Sequence, residues 1–464
     1  MTSNIRNILV ELCLHDEFTD KKQFSTIINN LKRKHHVCVP NKTVFTQYRK
    51  LVDSGEFELR SDILNYIITK DVRSLSGVVV LTVATKEFQC PGKCVYCPRE
   101  PGFPTSYSPG EAGVARGKKV EFDPIQQIDV RISMLIANGH TIDKIEIIII
   151  GGTWSSYDED YQRDFMTKLH YAINTYDSRN DRRSEQTLAE EQTINETSKY
   201  RIIGVTMETR PDKIDDAEII RLRSYGCTRV QLGVQHTDDE VLTLCSRGHG
   251  IEASIQATNL LKSHGFKVDH HYMPGLPGST PKMDIDMFKT VFGYLLSPDQ
   301  IKIYPCIVNK HARLYKWMNN GSYVPYTTEQ LTEILMAVKP TTPEWVRINR
   351  VIRDFPRESI QGGSTCSNLR QQVLAKMETQ GLKCKCICCR EPRHRTFKDV
   401  DIKLKVVSYQ TQGGEEYFIS YTSIDETMIY GFIRVRINDE RVVPIFSEIE
   451  NACLIRELHV YGRM

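Results

Sequence analysis

The 464-residue chain exceeds one ordinary domain, and 40% hydrophobic against 26% charged residues is globular usage that excludes collagenous, coiled-coil and wholly disordered chains. With 61 Lys and Arg against 58 Asp and Glu, the formal charge of +3 does not by itself announce a nucleic-acid partner. The longest strongly apolar run, 145–150, is far shorter than the roughly 20 residues that span a bilayer. The N-terminus, broken by Glu11, Asp16 and Glu17, lacks the order of a signal peptide, so a cytoplasmic protein with no membrane partner is expected.

Residues 1–74 read as short amphipathic helices, for example 5–14 and 22–34. From Lys21 to Val52 there is no acidic residue, whereas Lys21, Lys22, Lys32, Arg33, Lys34, Lys42, Arg49 and Lys50 are basic. Such a head neutralises the phosphates of a polyanion such as RNA, with Lys32, Arg33 and Lys34 as candidate contacts and His35, His36 and Tyr48 as rings that could stack on bases; a solvated helix face has the same composition. After Arg73 strand-like segments at 77–83, 145–150, 202–206, 229–234, 267–272 and 301–304 alternate with helical ones. That alternation predicts parallel βα units, either a full or partial barrel or a doubly wound sheet, with the chemistry beyond the C-terminal strand ends. The stretch 177–201 is polar without apolar periodicity and reads as a surface insertion. From about Val406 the alternation has period two, in segments such as 417–421 and 428–437, predicting an antiparallel sheet and a different domain.

Fourteen cysteines without a secretory signal point to metal or cluster ligation more than to disulfides. Cys90, Cys94 and Cys97 lie within eight residues, on a segment whose Pro91, Gly92 and Pro98 oppose a continuous helix. Three thiolates can hold three corners of a [4Fe–4S] cluster and leave one iron open to chelate a small molecule, for which S-adenosylmethionine (SAM) is suited; a zinc site lacking its fourth ligand is the competing reading. Cys384, Cys386, Cys388 and Cys389 form a second group.

The stretches CPGKCVYCP, GHTIDKIEIIIIGGTWSSY, GVTMETRPD, GCTRVQLGVQ, MPGLPGST, IKIYPC, NLRQ and IRELHVYG make the chain resemble the radical SAM superfamily, and within it the Elongator catalytic-subunit family, over nearly its whole length. The resemblance implies an α/β fold: a radical SAM partial (β/α)6 barrel at 75–380 behind a basic helical tRNA-binding domain at 1–74. A zinc-binding linker at 381–395 and the first part of a GNAT acetyltransferase domain of α+β type at 396–464 follow. It implies a tRNA wobble-uridine modifying enzyme that makes 5-carboxymethyluridine from acetyl-CoA with a [4Fe–4S]/SAM radical site.

The same resemblance places the cluster on Cys90, Cys94 and Cys97, and SAM on Gly151, Gly152 and Thr153. Glu208 and Lys302 are further SAM candidates, as a ribose and a carboxylate contact, or else members of structural ion pairs. Acetyl-CoA falls to Lys144, which is equally a solvated strand flank, and to Glu457, Leu458, His459 and Val460. A structural zinc falls to Cys384, Cys386, Cys389 and His394, with Cys388 as an alternative ligand. Relatives continue past the last strand with a Gly-rich pyrophosphate-cradling turn, and no Q-x-x-G-x-G occurs in this sequence. Weak or absent acetyl-CoA binding by this chain is therefore expected, and the alternative reading is a degenerate or partial tRNA-binding protein that needs a complementing acetyltransferase chain or Elongator-like subunits.

Overall fold

The computed structural model describes residues 2–67, 77–392 and 402–461. Among the described residues the head holds four helices: α1 (Thr2–Cys13), α2 (Lys21–Lys34), α3 (Asn41–Asp53) and α4 (Ser61–Ile67). Asp20 starts α2 by accepting the backbone N–H groups of Lys22 and Gln23. Helical spacing then puts Phe24, Ile28 and Leu31 on one buried face. These residues join Val44, Phe45, Tyr48 and Leu51 of α3 in a core of the head's own. Tyr48 is therefore a correction to the sequence reading: it is fully buried, its hydroxyl accepting from the Arg60 N–H and donating to the Glu58 carbonyl, and offers no ring for stacking.

Seven parallel strands follow: β1 (Val78–Ala84), β2 (Lys144–Ile150), β3 (Arg201–Thr209), β4 (Arg229–Gln235), β5 (Lys267–Tyr272), β6 (Gln300–Ile303) and β7 (Arg347–Val351). Their spatial order equals their sequence order, so the sheet has no switch point and curls into a half-barrel rather than a doubly wound sheet. The six strands expected from the sequence are present, and β7 extends them. Its five residues include Arg347, Asn349 and Arg350, too short and polar a run to register as a strand. Crossover helices cover the convex side, among them α6 (Pro124–Ala137), which follows the short α5 (Ala112–Lys119) and also packs against α3 of the head.

The concave side is polar. Glu146, Arg229, Gln231, Asp269, Lys302 and Asn349 meet there through Arg229–Glu146 (2.6 Å), Lys302–Gln231 (2.7 Å) and Asn349–Asp269 (3.2 Å) contacts. The segment read as a surface insertion contains a helix, Leu188–Thr197, started by a Thr187/Glu190 capping box. Its inward residues are Glu191 and Asn195, held by Arg183 and Asn174, so packing through polar groups left no apolar period to see.

The C-terminal sheet is antiparallel: β8 (Ile402–Thr411), β9 (Gly414–Ser423), β10 (Ile429–Asn438) and β11 (Cys453–Val460), in the order β11-β10-β9-β8. Its inner face docks on the N-terminal ends of β5 to β7 through a buried ion-pair network. Arg456 pairs with Asp299 (2.6 Å) and Glu416 (2.7 Å), and Lys267 with Glu457 (2.6 Å). Trp345, just before β7, stacks on Tyr409 at 4.1 Å.

Candidate active site

The loop after β1 carries the three clustered thiols at the C-terminal end of the sheet, where a parallel βα fold places its chemistry. Main-chain bonds clamp it: Val95 N–H donates to the Cys245 carbonyl (3.0 Å), and Leu314 N–H to the Val95 carbonyl (2.9 Å). Cys94 is buried, while Cys90 and Cys97 are half-buried. Cys90 Sγ lies 3.4 Å from Thr153 Oγ1, and Arg247 Nη1 donates to Cys94 Sγ at 3.6 Å. The Cys97 thiol and the Arg247 guanidinium together hold Cys94 well below the usual thiol range, which favours the thiolate that a metal requires.

Gly151 and Gly152 form the turn after β2 with φ of 151° and 95°. A Cβ on Gly151 would run into the Thr85 side chain, and one on Gly152 would stand 3.1 Å from the Thr105 carbonyl oxygen. The turn therefore presents bare backbone toward the thiol loop, with Thr153 beside Cys90. Glu208, near the end of β3, accepts from Tyr107 Oη at 2.6 Å. Lys302 of β6 donates to Gln231, with Asp269 at 4.0 Å.

Between them stands His271 of β5, buried, its Nδ1 3.9 Å from Glu208 and its Nε2 without a partner among the described residues. Burial, reinforced by Lys302 and Arg353, keeps His271 neutral. Arg247 Nε, Arg210 Nη1 and Tyr96 Oη are likewise buried without partners. Three thiols, a side-chain-free turn and several unsatisfied polar atoms at one mouth fit a thiolate-ligated cluster with a polar molecule beside it. Sequence reasoning missed Arg247, in the loop after the helix Asp239–Leu244, and His271, within β5, because a single basic residue has no spacing signature.

A second thiol group lies where β7 meets the C-terminal sheet. Cys384, Cys386 and Cys389 bring their sulfurs within 4.8 Å of one another. Cys388 faces Arg347 instead, at 3.7 Å. His394 lies outside the described residues.

The acetyl-CoA candidates sit at the opposite end of the half-barrel from the thiol loop. Lys144 is the first residue of β2, and Glu457 reaches Lys267 and Arg434 at the lower ends of the strands. Burial pushes the Glu457 carboxyl up, but Lys267 and Arg434 outweigh it and hold it at about 2. His459 stacks on Phe432, whereas Leu458 and Val460 are exposed. Among the described residues β11 pairs only with β10, so its other edge presents unpaired backbone.

In the head, Lys32 is tied to Asn41 (2.6 Å) and Lys34 to Glu11 (2.7 Å), leaving Arg33 exposed. No helix among the described residues is long and apolar enough to cross a membrane.

Comparison with known proteins follows this geometry. The chain matches the Radical SAM superfamily over residues 88–291 and the Radical_SAM C-terminal domain over 298–379. It is 39% identical over 460 residues to the tRNA uridine(34) acetyltransferase of Methanocaldococcus jannaschii, covering 96% of this chain and 82% of that protein. It is 33% identical to Elongator complex protein 3 of Schizosaccharomyces pombe, covering 87% of this chain and 76% of that one. The solved structure of the Methanocaldococcus infernus Elp3 with an N-terminal deletion superposes with a TM-score of 0.71 at 37% identity, covering 83% of each chain. With a thiol loop and glycine turn at the mouth of a seven-stranded half-barrel, and relatives this similar over nearly its whole length, the chain belongs to the radical SAM family of tRNA uridine(34) acetyltransferases and Elongator complex protein 3.

Proposed function

We infer that this chain modifies the wobble uridine of tRNA, forming 5-carboxymethyluridine with acetyl-CoA as carbon donor. The observation that carries the reading is the Cys90/Cys94/Cys97 loop facing the Gly151–Thr153 turn in a member of this family. Cys90, Cys94 and Cys97 would hold a [4Fe–4S] cluster, which would supply the one-electron chemistry, fed by an external reductant, for reductive cleavage of SAM to a radical. The chain's own residues set the conditions. Arg247 stabilises the Cys94 thiolate, and the turn at Gly151 and Gly152 leaves room for an amino-acid backbone. Glu208 offers an acceptor for a ribose hydroxyl, and Lys302 a cation for a carboxylate.

Lys144 and the 457–460 strand are the acetyl-CoA positions, and Lys32, Arg33 and Lys34 contribute to tRNA binding. Cys384, Cys386 and Cys389, closed by His394, hold a structural zinc; the sulfur proximity supports it. We divide the chain at 1–74, 75–380, 381–395 and 396–464 on the same basis, and place the activity in the cytoplasm.

Anaerobic reconstitution tests the reading. About four irons per chain and SAM cleavage abolished by Cys94→Ala are expected; cleavage surviving that substitution would sink it.

One observation favours a second reading, a tRNA-binding protein that works with a separate acetyltransferase polypeptide or Elongator-like subunits. The outer face of the C-terminal sheet exposes Leu404, Val406, Tyr421, Ile455, Leu458 and Val460. An apolar face of this extent calls for a cover.

A further inference from the structure

Among the described residues, buried and half-buried arginines almost all have a partner. Arg353 pairs with Glu111, Arg182 with Asp129, Arg229 with Glu146 and Arg347 with Glu391, while Arg247 and Arg370 donate to the main-chain carbonyls of Gly233 and Ile348. Arg116 of α5 and Arg131 of α6 are different. They line one small recess with Thr82, Val120, Gln127 and Val130, and neither has a hydrogen-bond or ion-pair partner among the described residues. The Nε of each is buried and unsatisfied.

Both line the same recess as like charges: burial lowers the pKa of each, and the charge of Arg116 lowers that of Arg131 further. Desolvating two cations side by side without an acceptor costs free energy that the fold does not recover by itself. The C-terminal dipole of α5 offsets part of the cost at Arg116, which sits in its last turn, but Arg131 lies mid-helix and has no such help. An anion that accepted from both forks would repay it.

The place of the recess narrows the anion. Thr82 lies near the C-terminal end of β1, the edge strand of the half-barrel, just before the loop that carries the thiols. On its other side α6 packs against α3, whose Lys42, Arg49 and Lys50 are exposed. Lys118 and Lys119 extend the positive charge along the last turn of α5. The recess thus lies between a basic head and the mouth of the half-barrel, where a polyanion reaching the thiol loop from the head would pass.

We propose that Arg116 and Arg131 form a phosphate-binding site that grips one phosphodiester of the RNA substrate between the head and the thiol loop. Guanidinium forks suit this task because each presents two parallel N–H donors to the phosphate oxygens. The inference rests on the tRNA reading above and adds to it two residues remote from the clustered lysines of α2.

Filter binding of an unmodified tRNA to the full, cluster-reconstituted chain between 50 and 200 mM salt, roughly the range over which phosphate contacts are read, tests it. For the Arg116→Gln/Arg131→Gln double variant, affinity should fall about tenfold and the slope of log K against log salt should drop by about 1, while thermal stability holds or rises because a like-charge contact is gone. Arg116→Lys/Arg131→Lys should restore the slope but not the full affinity. Unchanged affinity and slope in the Gln variant would overturn the site while leaving the tRNA reading intact. Failure of the unsubstituted chain to bind tRNA would remove both. Stabilisation of the unsubstituted chain but not the Gln variant by inorganic phosphate, with equal tRNA affinity, would make this a free-anion site and overturn the RNA assignment.

Discussion

Gly151 shows how tightly single residues are determined here. Its φ of 151° and the Thr85 side chain against its α-carbon leave no room for a Cβ. Gly151→Ala is expected to cost about 1–3 kcal/mol of stability and to weaken SAM binding, measured by thermal melts and by equilibrium dialysis of the reconstituted protein. Wild-type behaviour on both counts would remove the turn from the site. The three cysteines and the glycine pair were legible in the sequence because their spacing is itself the signal. Arg247 and His271 were not, since their role arises from the loop after the helix Asp239–Leu244 and the end of β5 being brought beside the thiol loop. Tyr48 misled for the same reason: in a run of basic residues an aromatic looks available, and only the packing of α3 against the rest of the head buries it.

At the scale of elements, the C-terminal sheet has two unlike faces. Period-two alternation predicted a sheet, but not which face would be covered, because both faces carry large residues. Arginines and glutamates occupy the inner face, buried in ion pairs, and aliphatic residues the outer one. A bulge at Arg434/Val435 accompanies this, letting the consecutive Arg456 and Glu457 both point inward. Because Val406 and Leu458 are exposed, Val406→Glu/Leu458→Glu is expected to change unfolding free energy by no more than about 0.5 kcal/mol while reducing self-association in sedimentation velocity. A large loss of stability would mean that this face is packed in solution. Strand β7 and helix Leu188–Thr197 escaped the sequence reading because both pack through polar groups, leaving no apolar period.

At the scale of the molecule, the half-barrel separates two sets of candidate residues: the thiol loop and glycine turn at one end, Lys144 and the 457–460 strand at the other. The docking that fixes the second set is electrostatic. Lys262, Lys267, Arg434, Arg436 and Arg456 meet Asp299, Glu416 and Glu457. Burial pushes these carboxyls up, yet the surrounding cations more than offset it and hold all three below their ordinary range, Glu457 at about 2. A carboxyl whose pKa is depressed on folding stabilises above its unfolded value and loses that contribution as pH falls toward the folded value. Docking of the sheet is therefore expected to weaken between pH 4.5 and about 2, reported by the fluorescence of Trp345 stacked on Tyr409. Glu457→Gln should remove about 3 kcal/mol of that pH dependence, and an unaltered acid transition would contradict the network's role.

The central claim, that the thiol loop serves a wobble uridine, is tested most directly by SAM cleavage in the presence of two tRNAs differing only at position 34. The account predicts that tRNA with uridine there stimulates 5′-deoxyadenosine formation by the reconstituted chain and that the same tRNA with cytidine does not. Equal stimulation by both, or none by either, would contradict it.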